Sequence, residues 1–198
     1  TLQWWDGSSP VLDLWGRQTQ AHEDRIMGVD LQLVPTSSNN KIMAGTASID
    51  LTAKLWTIQE TTSEDVPMED ADLRSETVTA TKTKEEEDSE VMKYSFTQVA
   101  HLKGHAARLC KIAFHPMGHW VATTSHDHTW RLWDIDTCCG KTAGQDSASE
   151  LLLQDGHADK VFGIDFHPDG SLVATTDYSG MIHIWDLRTG KTVLQYYG

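Results

Sequence analysis

The stretch that decides the fold runs from Gly104 to Asp134 and reads GHAARLCKIAFHPMGHWVATTSHDHTWRLWD. A second copy runs from Gly156 to Asp186 and reads GHADKVFGIDFHPDGSLVATTDYSGMIHIWD. Both copies carry Gly-His, Phe-His-Pro-x-Gly, Val-Ala-Thr-Thr and Trp-Asp in the same order, and 28 positions separate the Gly-His histidine from the Trp-Asp tryptophan in each. Self-similarity at a fixed spacing is typical of repeat architectures, in which each copy is one supersecondary unit.

Each copy predicts short antiparallel strands separated by turns. Polar and apolar residues alternate over 109–114, two further short runs cover 120–125 and 130–133, and Pro, Gly and Asp bound these runs. Alternation with a period of two between turn residues favours strands. The run 194–197 can supply a fourth strand before the next Gly. Four short strands in each repeated unit are typical of the blades of a β-propeller.

The four motifs together, with Ser-x-Asp between the second and the last, resemble the WD40 family. The resemblance implies an all-β fold with about three four-stranded blades of a larger, seven-bladed propeller. It also implies that a His, a Ser or Thr, an Asp and the Trp of each blade form a buried hydrogen-bonded cluster. Such groups must bond to one another, because a buried polar group left unpaired costs about 1–3 kcal/mol. The predicted clusters are His22, Ser48, Asp50 and Trp56; His105, Ser125, Asp127 and Trp133; and His157, Asp177, Ser179 and Trp185.

Two of the three units depart from the pattern. In the unit that begins at His22, 34 positions separate this histidine from Trp56, and the loop-like stretch 36–40 can absorb the excess. In the last unit the hydroxyl and carboxylate types are exchanged between positions 177 and 179. Residues 1–6 read as the end of a preceding blade, so we expect the chain to be an excerpt of a longer protein.

The charge of the chain is concentrated in one segment. Residues 60–90 hold 12 acidic and 3 basic side chains, which gives −12 + 3 = −9 of the net charge of −13. Such a segment buries too little apolar area to offset its ordering entropy, so it predicts a disordered insertion. The expected organisation is the end of one blade and a first unit over 1–58, the acidic insertion over 59–93, and two further units with the outer strand of the next blade over 94–198.

The sequence favours neither catalysis nor a cofactor. The three cysteines are an odd number, which favours free thiols in a reducing compartment. No nucleophile elbow or phosphate-binding glycine loop is present, and no run of 18 apolar residues predicts a membrane span. His115, His119 and residues 126–128 suggest two interpretations: they form a metal site, or the histidines among them have a structural role in the repeat. The structural role is favoured, because the Phe-His-Pro histidines recur with the repeat.

The WD40 resemblance further implies that the third residue after each Gly-His histidine faces the mouth of the propeller. The candidate contacts for a partner at this mouth are Arg25, Met27, Arg108, Cys110, His126, Lys160, Phe162 and Tyr178. We hypothesise that the three cations among them bind an acidic partner, either a peptide or RNA phosphate. The alternative, that these cations only offset neighbouring acids, stays open at this point.

Within the WD40 family, residues 100–198 resemble the Prp4-type pre-mRNA-processing factors, which are subunits of the U4/U6 small nuclear ribonucleoprotein. The stretches 130–134 and 151–157 carry most of the likeness. It implies a nuclear, non-catalytic scaffold in pre-mRNA splicing. The implied partners are a Prp3-type factor, other U4/U6 and tri-snRNP proteins and a cyclophilin, with U4/U6 snRNA in the same particle. The alternatives are another WD40 adaptor, such as a ubiquitin-ligase substrate receptor or a histone-binding propeller, and the less favoured case of a propeller enzyme.

Overall fold

The structure, a computed structural model, describes residues 2–5, 14–18, 21–34, 41–61, 93–136 and 148–198. All regular secondary structure in these ranges is β-strand. The same ranges hold no helix long and apolar enough to cross a membrane.

The strands form one hairpin and three four-stranded antiparallel sheets. The hairpin consists of β1 (Leu2–Trp5) and β2 (Leu14–Gln18). The first sheet consists of β3 (Ile26–Val34), β4 (Lys41–Ser48), β5 (Thr52–Thr61) and β6 (Lys93–Lys103). The second sheet consists of β7 (Leu109–Phe114), β8 (Trp120–Ser125), β9 (Trp130–Asp134) and β10 (Ser149–Gln154). The third sheet consists of β11 (Val161–Phe166), β12 (Leu172–Asp177), β13 (Met181–Asp186) and β14 (Lys191–Tyr197).

Each sheet is a meander whose strands pair in chain order. This arrangement confirms the prediction of four-stranded propeller blades. The boundaries between units differ from those expected, because the strand that starts at Lys93 pairs with β5 and completes the first sheet. Likewise β14 pairs with β13 and completes the third sheet, rather than starting the next blade. The fourth strand of each sheet therefore joins the strand that precedes it in the chain, and in the first sheet it does so although 31 residues, 62–92, separate β5 from β6.

The acidic insertion is shorter than expected at both ends. Residues 59–61 lie in β5, Lys93 lies in β6, and Thr61 pairs with Lys93. The predicted disorder concerns residues 62–92, which lie outside the described part of the chain. Their attachment points are at the end of the first sheet opposite the β4–β5 turn, because Ala47 pairs with Ala53 near that turn.

The sheets stack face to face and bury two apolar cores. The core between the first and second sheets includes Met43, Leu55, Leu102, Ile112 and Trp133. The core between the second and third sheets includes Trp130, Leu132, Ile164, Phe166 and Trp185. Alternate residues of one strand point to opposite faces, so the central sheet supplies side chains to both cores.

The Phe-His-Pro-x-Gly turns link one sheet to the next. Gly118 and Gly170 have positive φ angles of 77° and 76°, which glycine adopts without steric cost. His115, from the turn of the second sheet, is buried, and its Nε2 lies 2.9 Å from the carbonyl oxygen of Gly170 in the third. Its ring also packs against Phe166, with ring centroids 5.2 Å apart. This histidine therefore stabilises the contact between sheets.

Candidate functional site

Each sheet contains a directed chain of hydrogen bonds at its centre. In the second sheet the Nε1–H of Trp133 donates to Thr123 Oγ1 at 2.8 Å. Thr123 Oγ1 lies 2.9 Å from His105 Nε2, and His105 Nδ1 lies 2.8 Å from Asp127 Oδ2. Because a carboxylate only accepts, the histidine donates from Nδ1 and accepts the threonine hydroxyl at Nε2. The chain thus satisfies four groups that are buried or nearly so.

The first and third sheets repeat this arrangement. Trp56 donates to Thr46 at 3.0 Å, Thr46 lies 2.8 Å from His22, and His22 lies 2.8 Å from Asp50. The corresponding distances in the third sheet, along Trp185, Thr175, His157 and Asp177, are 2.7, 2.7 and 2.9 Å. The predicted His, Asp and Trp members of all three clusters are therefore in hydrogen-bonded chains.

The hydroxyl members were assigned wrongly. The linking residues are Thr46, Thr123 and Thr175, not Ser48, Ser125 and Ser179. Trp133 pairs with Val121, so Thr123 is two residues along β8 from its partner, whereas Ser125 is four residues along. At about 3.3 Å per residue, only the threonine is within reach of the indole.

The serines have other roles at the ends of these strands. Ser125 Oγ donates to the carbonyl oxygen of Ala107 at 2.9 Å, and Ser48 Oγ donates to that of Arg25 at 2.9 Å. Ser179 Oγ donates to Asp177 Oδ1 at 2.6 Å. In the second sheet the matching hydroxyl is that of Thr129, which donates to Asp127 Oδ1 at 2.6 Å.

The exchange of residue types in the third unit keeps the geometry of the cluster. Asp177 stands two residues after Thr175, where the second sheet has Ser125. Its carboxylate nevertheless reaches His157 at 2.9 Å, and its side chain is fully buried. Ser179 then supplies the hydroxyl that Thr129 supplies in the second sheet.

The clusters hold their carboxylates in the ionised form. Burial alone would raise the pKa of Asp127, but hydrogen bonds from His105 and Thr129 outweigh it and hold this pKa well below its usual range. The same balance, of burial against bonds from a hydroxyl and a histidine, lowers the pKa values of Asp50 and Asp177. Burial lowers the pKa of His22, despite its bond to Asp50. In each cluster the histidine and the carboxylate bond to each other and to groups of their own sheet, which is a structural arrangement.

Acidic solution is expected to destabilise the fold in two steps. Burial lowers the pKa values of His101 and His183 in the folded chain, so the unfolded chain takes up more protons below about pH 6.5 and stability falls with pH. The cluster carboxylates have lowered pKa values in the folded chain, so their contribution is present above about pH 4 and is lost as the pH falls further. Urea unfolding at a series of pH values measures both steps.

His183 provides a direct check of the first step. Its buried ring stacks between His157 and Trp185, with centroids 4.2 and 5.3 Å away. We expect His183→Phe to keep the stack and to lower the difference in unfolding free energy between pH 7 and pH 5, because phenylalanine cannot take up a proton. The exposed His119 gives a matched control, His119→Phe. An unchanged pH dependence in the His183 variant would contradict the assignment.

The residues of the hypothetical metal site are separated by their structural roles. His115 bonds to Gly170 between sheets, Asp127 is in the cluster of its own sheet, and His119 Nδ1 lies 2.8 Å from Asp136 Oδ2. His128 is in a turn with a positive φ of 69°. No group of three or more His, Cys, Asp or Glu residues in the described ranges is arranged to hold a metal ion.

Three cations occupy the same position at one edge of the three sheets. In each sheet, the backbone carbonyl oxygen of the cationic residue accepts a hydrogen bond from the backbone N–H of the residue that follows the second strand. The three bonds are Ile49 N to Arg25 O at 3.0 Å, His126 N to Arg108 O at 3.0 Å, and Tyr178 N to Lys160 O at 2.9 Å. We call Arg25, Arg108 and Lys160 the cation edge. All three are exposed, and none forms an ion pair with any other described residue.

An aromatic cluster crosses from the second sheet to the third beside the cation edge. The rings of His126 and Phe162 are 5.0 Å apart and T-shaped, and those of Phe162 and Tyr178 are 5.7 Å apart. Arg108 Nε lies 3.1 Å from His126 Nδ1, and Lys160 Nζ lies 5.7 Å from the Tyr178 ring centroid. The structure therefore brings together five of the eight candidate mouth residues.

Of the other candidates, Met27 is exposed but Cys110 is not. The Cys110 side chain is buried, and burial raises its pKa to about 11. The thiol is thus covered in the free chain, and a contact between Cys110 and a partner stays a prediction. Cys110 stands on β7 where the register with β8 shifts between Leu109 and Lys111.

Comparison with known proteins gives one family and several partial relatives. Residues 96–134 and 149–186 match the family described as WD domain, G-beta repeat. The chain is 35% identical over 95 residues to Coronin-7 of Homo sapiens, which covers 48% of this chain and 9% of that protein. It is 30% identical over 98 residues to Pre-mRNA-processing factor 19 of Oryza sativa subsp. japonica, covering 49% and 17% respectively. It is 42% identical over 55 residues to U4/U6 small nuclear ribonucleoprotein PRP4 of Saccharomyces cerevisiae, covering 28% and 10%.

Proposed function

We propose that this chain, which contains WD40 repeats, is a non-catalytic scaffold of the splicing ribonucleoprotein that contains U4 and U6 RNA. The proposed absence of catalysis is supported by the hydrogen bonds that the buried titratable groups make. The histidines and carboxylates of the three clusters bond to one another within their own sheets, which leaves them no partner role in acid–base chemistry. A rigid stack of sheets with exposed edges is suited to binding other macromolecules.

The likeness to the PRP4 protein of the U4/U6 particle carries the assignment to splicing, and the likeness to Pre-mRNA-processing factor 19 agrees with it. In this function the chain acts in the nucleus through contacts with proteins of the U4/U6 and tri-snRNP particles. The proposed partners are a Prp3-type factor and a cyclophilin, and U4/U6 snRNA is present in the same particle.

A second candidate is a coronin-type role. It is favoured by the likeness to Coronin-7, which extends over more of this chain than the likeness to PRP4 does. The fold does not separate the two candidates, because one fold hosts many functions.

Capture from nuclear extract separates the two candidates. We expect U4 and U6 RNA to copurify with the tagged chain and to be enriched over an abundant unrelated RNA. A Trp133→Ala variant serves as the folding control, because loss of this buried side chain costs about 3–5 kcal/mol and should abolish capture. If the folded chain recovers proteins but neither RNA is enriched, the splicing proposal is wrong.

A further inference from the structure

The cation edge and the aromatic cluster together form a surface with two kinds of binding group. Arg108 and Lys160 supply positive charge from adjacent sheets, and His126, Phe162 and Tyr178 supply rings between them. Tyr178 is 71% exposed and Phe162 is 38% exposed. We propose that this surface binds single-stranded nucleic acid, with a base stacked on Tyr178 and phosphates held by Arg108 and Lys160.

The cations are available to a ligand. The nearest acids in the sequence, Asp24 and Asp159, accept the backbone N–H of Arg25 and Lys160 at 2.7 Å. Their carboxylates thus have bonds to the backbone, and the cationic side chains form no ion pair with any described residue.

His126 contributes a ring rather than a charge. Burial, followed by the nearby positive charges of Arg108 and Lys160, lowers its pKa. Arg108 Nε lies 3.1 Å from Nδ1 and 3.2 Å from Nε2 of His126, so the guanidinium lies against the imidazole ring. The imidazole thereby fixes the direction of the Arg108 side chain and supports the edge of Phe162.

The combination favours nucleic acid over an acidic peptide. Carboxylates need only the cations, whereas exposed rings in series beside cations match alternating bases and phosphates. Each ring face can stack with a base of any sequence, so we expect little sequence preference. Residues 60–90 carry −9 of the net charge of −13, which leaves −13 + 9 = −4 for the rest of the chain.

Fluorescence anisotropy of the purified chain tests the proposal without any particle, so it can succeed or fail independently of the splicing assignment. The probes are labelled single-stranded RNA and DNA of about eight nucleotides, and a poly-glutamate peptide of the same length. We expect both oligonucleotides to bind with a Kd of about 1–100 μM, more weakly as salt increases. The ratio of the two Kd values shows whether the surface prefers RNA or DNA.

Substitutions of the surface residues test whether the oligonucleotides bind at this surface. Tyr178→Ala should weaken binding about 5- to 100-fold, whereas Tyr178→Phe, which keeps the ring, should change it little. Arg108→Ala with Lys160→Ala should lower the slope of log K against log salt by about 1.4, or 0.7 for each lost phosphate contact. Arg188→Ala with Lys191→Ala is the matched control, since it removes the same charge at the opposite end of the third sheet.

Three results would overturn the proposal. One is the absence of binding to either oligonucleotide at about 100 μM chain, which is the weakest Kd typical of non-specific binding. Another is equal binding by the wild type and Tyr178→Ala. The third is tighter binding of poly-glutamate than of both oligonucleotides, with the same loss in the Arg108 and Lys160 variant, which would identify an acidic peptide as the ligand.

Discussion

Replacing Thr123 by valine is expected to lower the free energy of unfolding by about 2–4 kcal/mol. Valine has almost the same shape but no hydroxyl, so the indole N–H of Trp133 and the Nε2 of His105 both lose their buried partner. Each unpaired group costs about 1–3 kcal/mol. Urea unfolding followed by tryptophan fluorescence measures the loss.

The control for this variant is Thr97→Val. Thr97 is exposed on β6, so its replacement should change stability by no more than about 0.5 kcal/mol. A double variant with Trp133→Phe adds a second check. Phenylalanine already lacks the indole N–H, so the two losses should not add, as expected for groups of one network. A loss in Thr123→Val no larger than that in Thr97→Val would contradict the role of Thr123.

Replacing Gly170 by alanine is expected to cost about 2–4 kcal/mol, because it combines two effects. The φ angle of 76° is unfavourable for a residue with a Cβ, by about 1–2 kcal/mol. The new Cβ would also meet the Nε2 of His115, which bonds to the Gly170 carbonyl oxygen at 2.9 Å. Displacing His115 removes a bond between sheets that is worth about 1 kcal/mol and disturbs its packing on Phe166.

Gly190 provides the matched control for the backbone effect. Its φ angle is 65°, but the only nearby atom is Leu152 Cδ1 at 4.0 Å. Gly190→Ala should therefore cost only the backbone term of about 1–2 kcal/mol. Thermal or urea unfolding of the two variants isolates the contact between sheets. Equal losses in both variants would show that His115 adjusts without cost.

The sheets were predictable because their signals are local. Alternation and turn residues predicted strands over 109–114 and 120–125, and both were found with these bounds. The outer strands were harder to assign, since nothing in the sequence of 94–103 indicates which neighbour it pairs with. Its partner β5 precedes it across the long acidic segment. Pairing across an insertion depends on tertiary packing rather than on local pattern.

The hydroxyl of each cluster was missed although a signal existed. Thr46, Thr123 and Thr175 all stand ten positions before the cluster tryptophan. Serine at the expected position occurs in only two units, and the third has aspartate there. The common spacing, combined with the register of adjacent strands, would have selected the threonines.

Among the candidate mouth residues, the repeat pattern predicted some positions, whereas others depend on how the sheets pack together. Repeat spacing alone placed Arg25, Arg108 and Lys160 at equivalent positions of the three sheets. The contact of His126 with Phe162 joins two different sheets and could not be derived from one repeat. The burial of Cys110 likewise depends on how the first sheet packs against the second, where Gly28 approaches the Cys110 backbone closely.

The central claim is that every sheet is centred on a buried chain from tryptophan through threonine and histidine to aspartate. Hydrogen exchange of the indole Nε1–H groups, followed by NMR with each signal assigned through a Trp→Phe variant, tests it most directly. The claim predicts slow exchange for Trp56, Trp133 and Trp185, with protection that Thr123→Val removes for Trp133 alone. Fast exchange of all three indoles in the folded chain would contradict it.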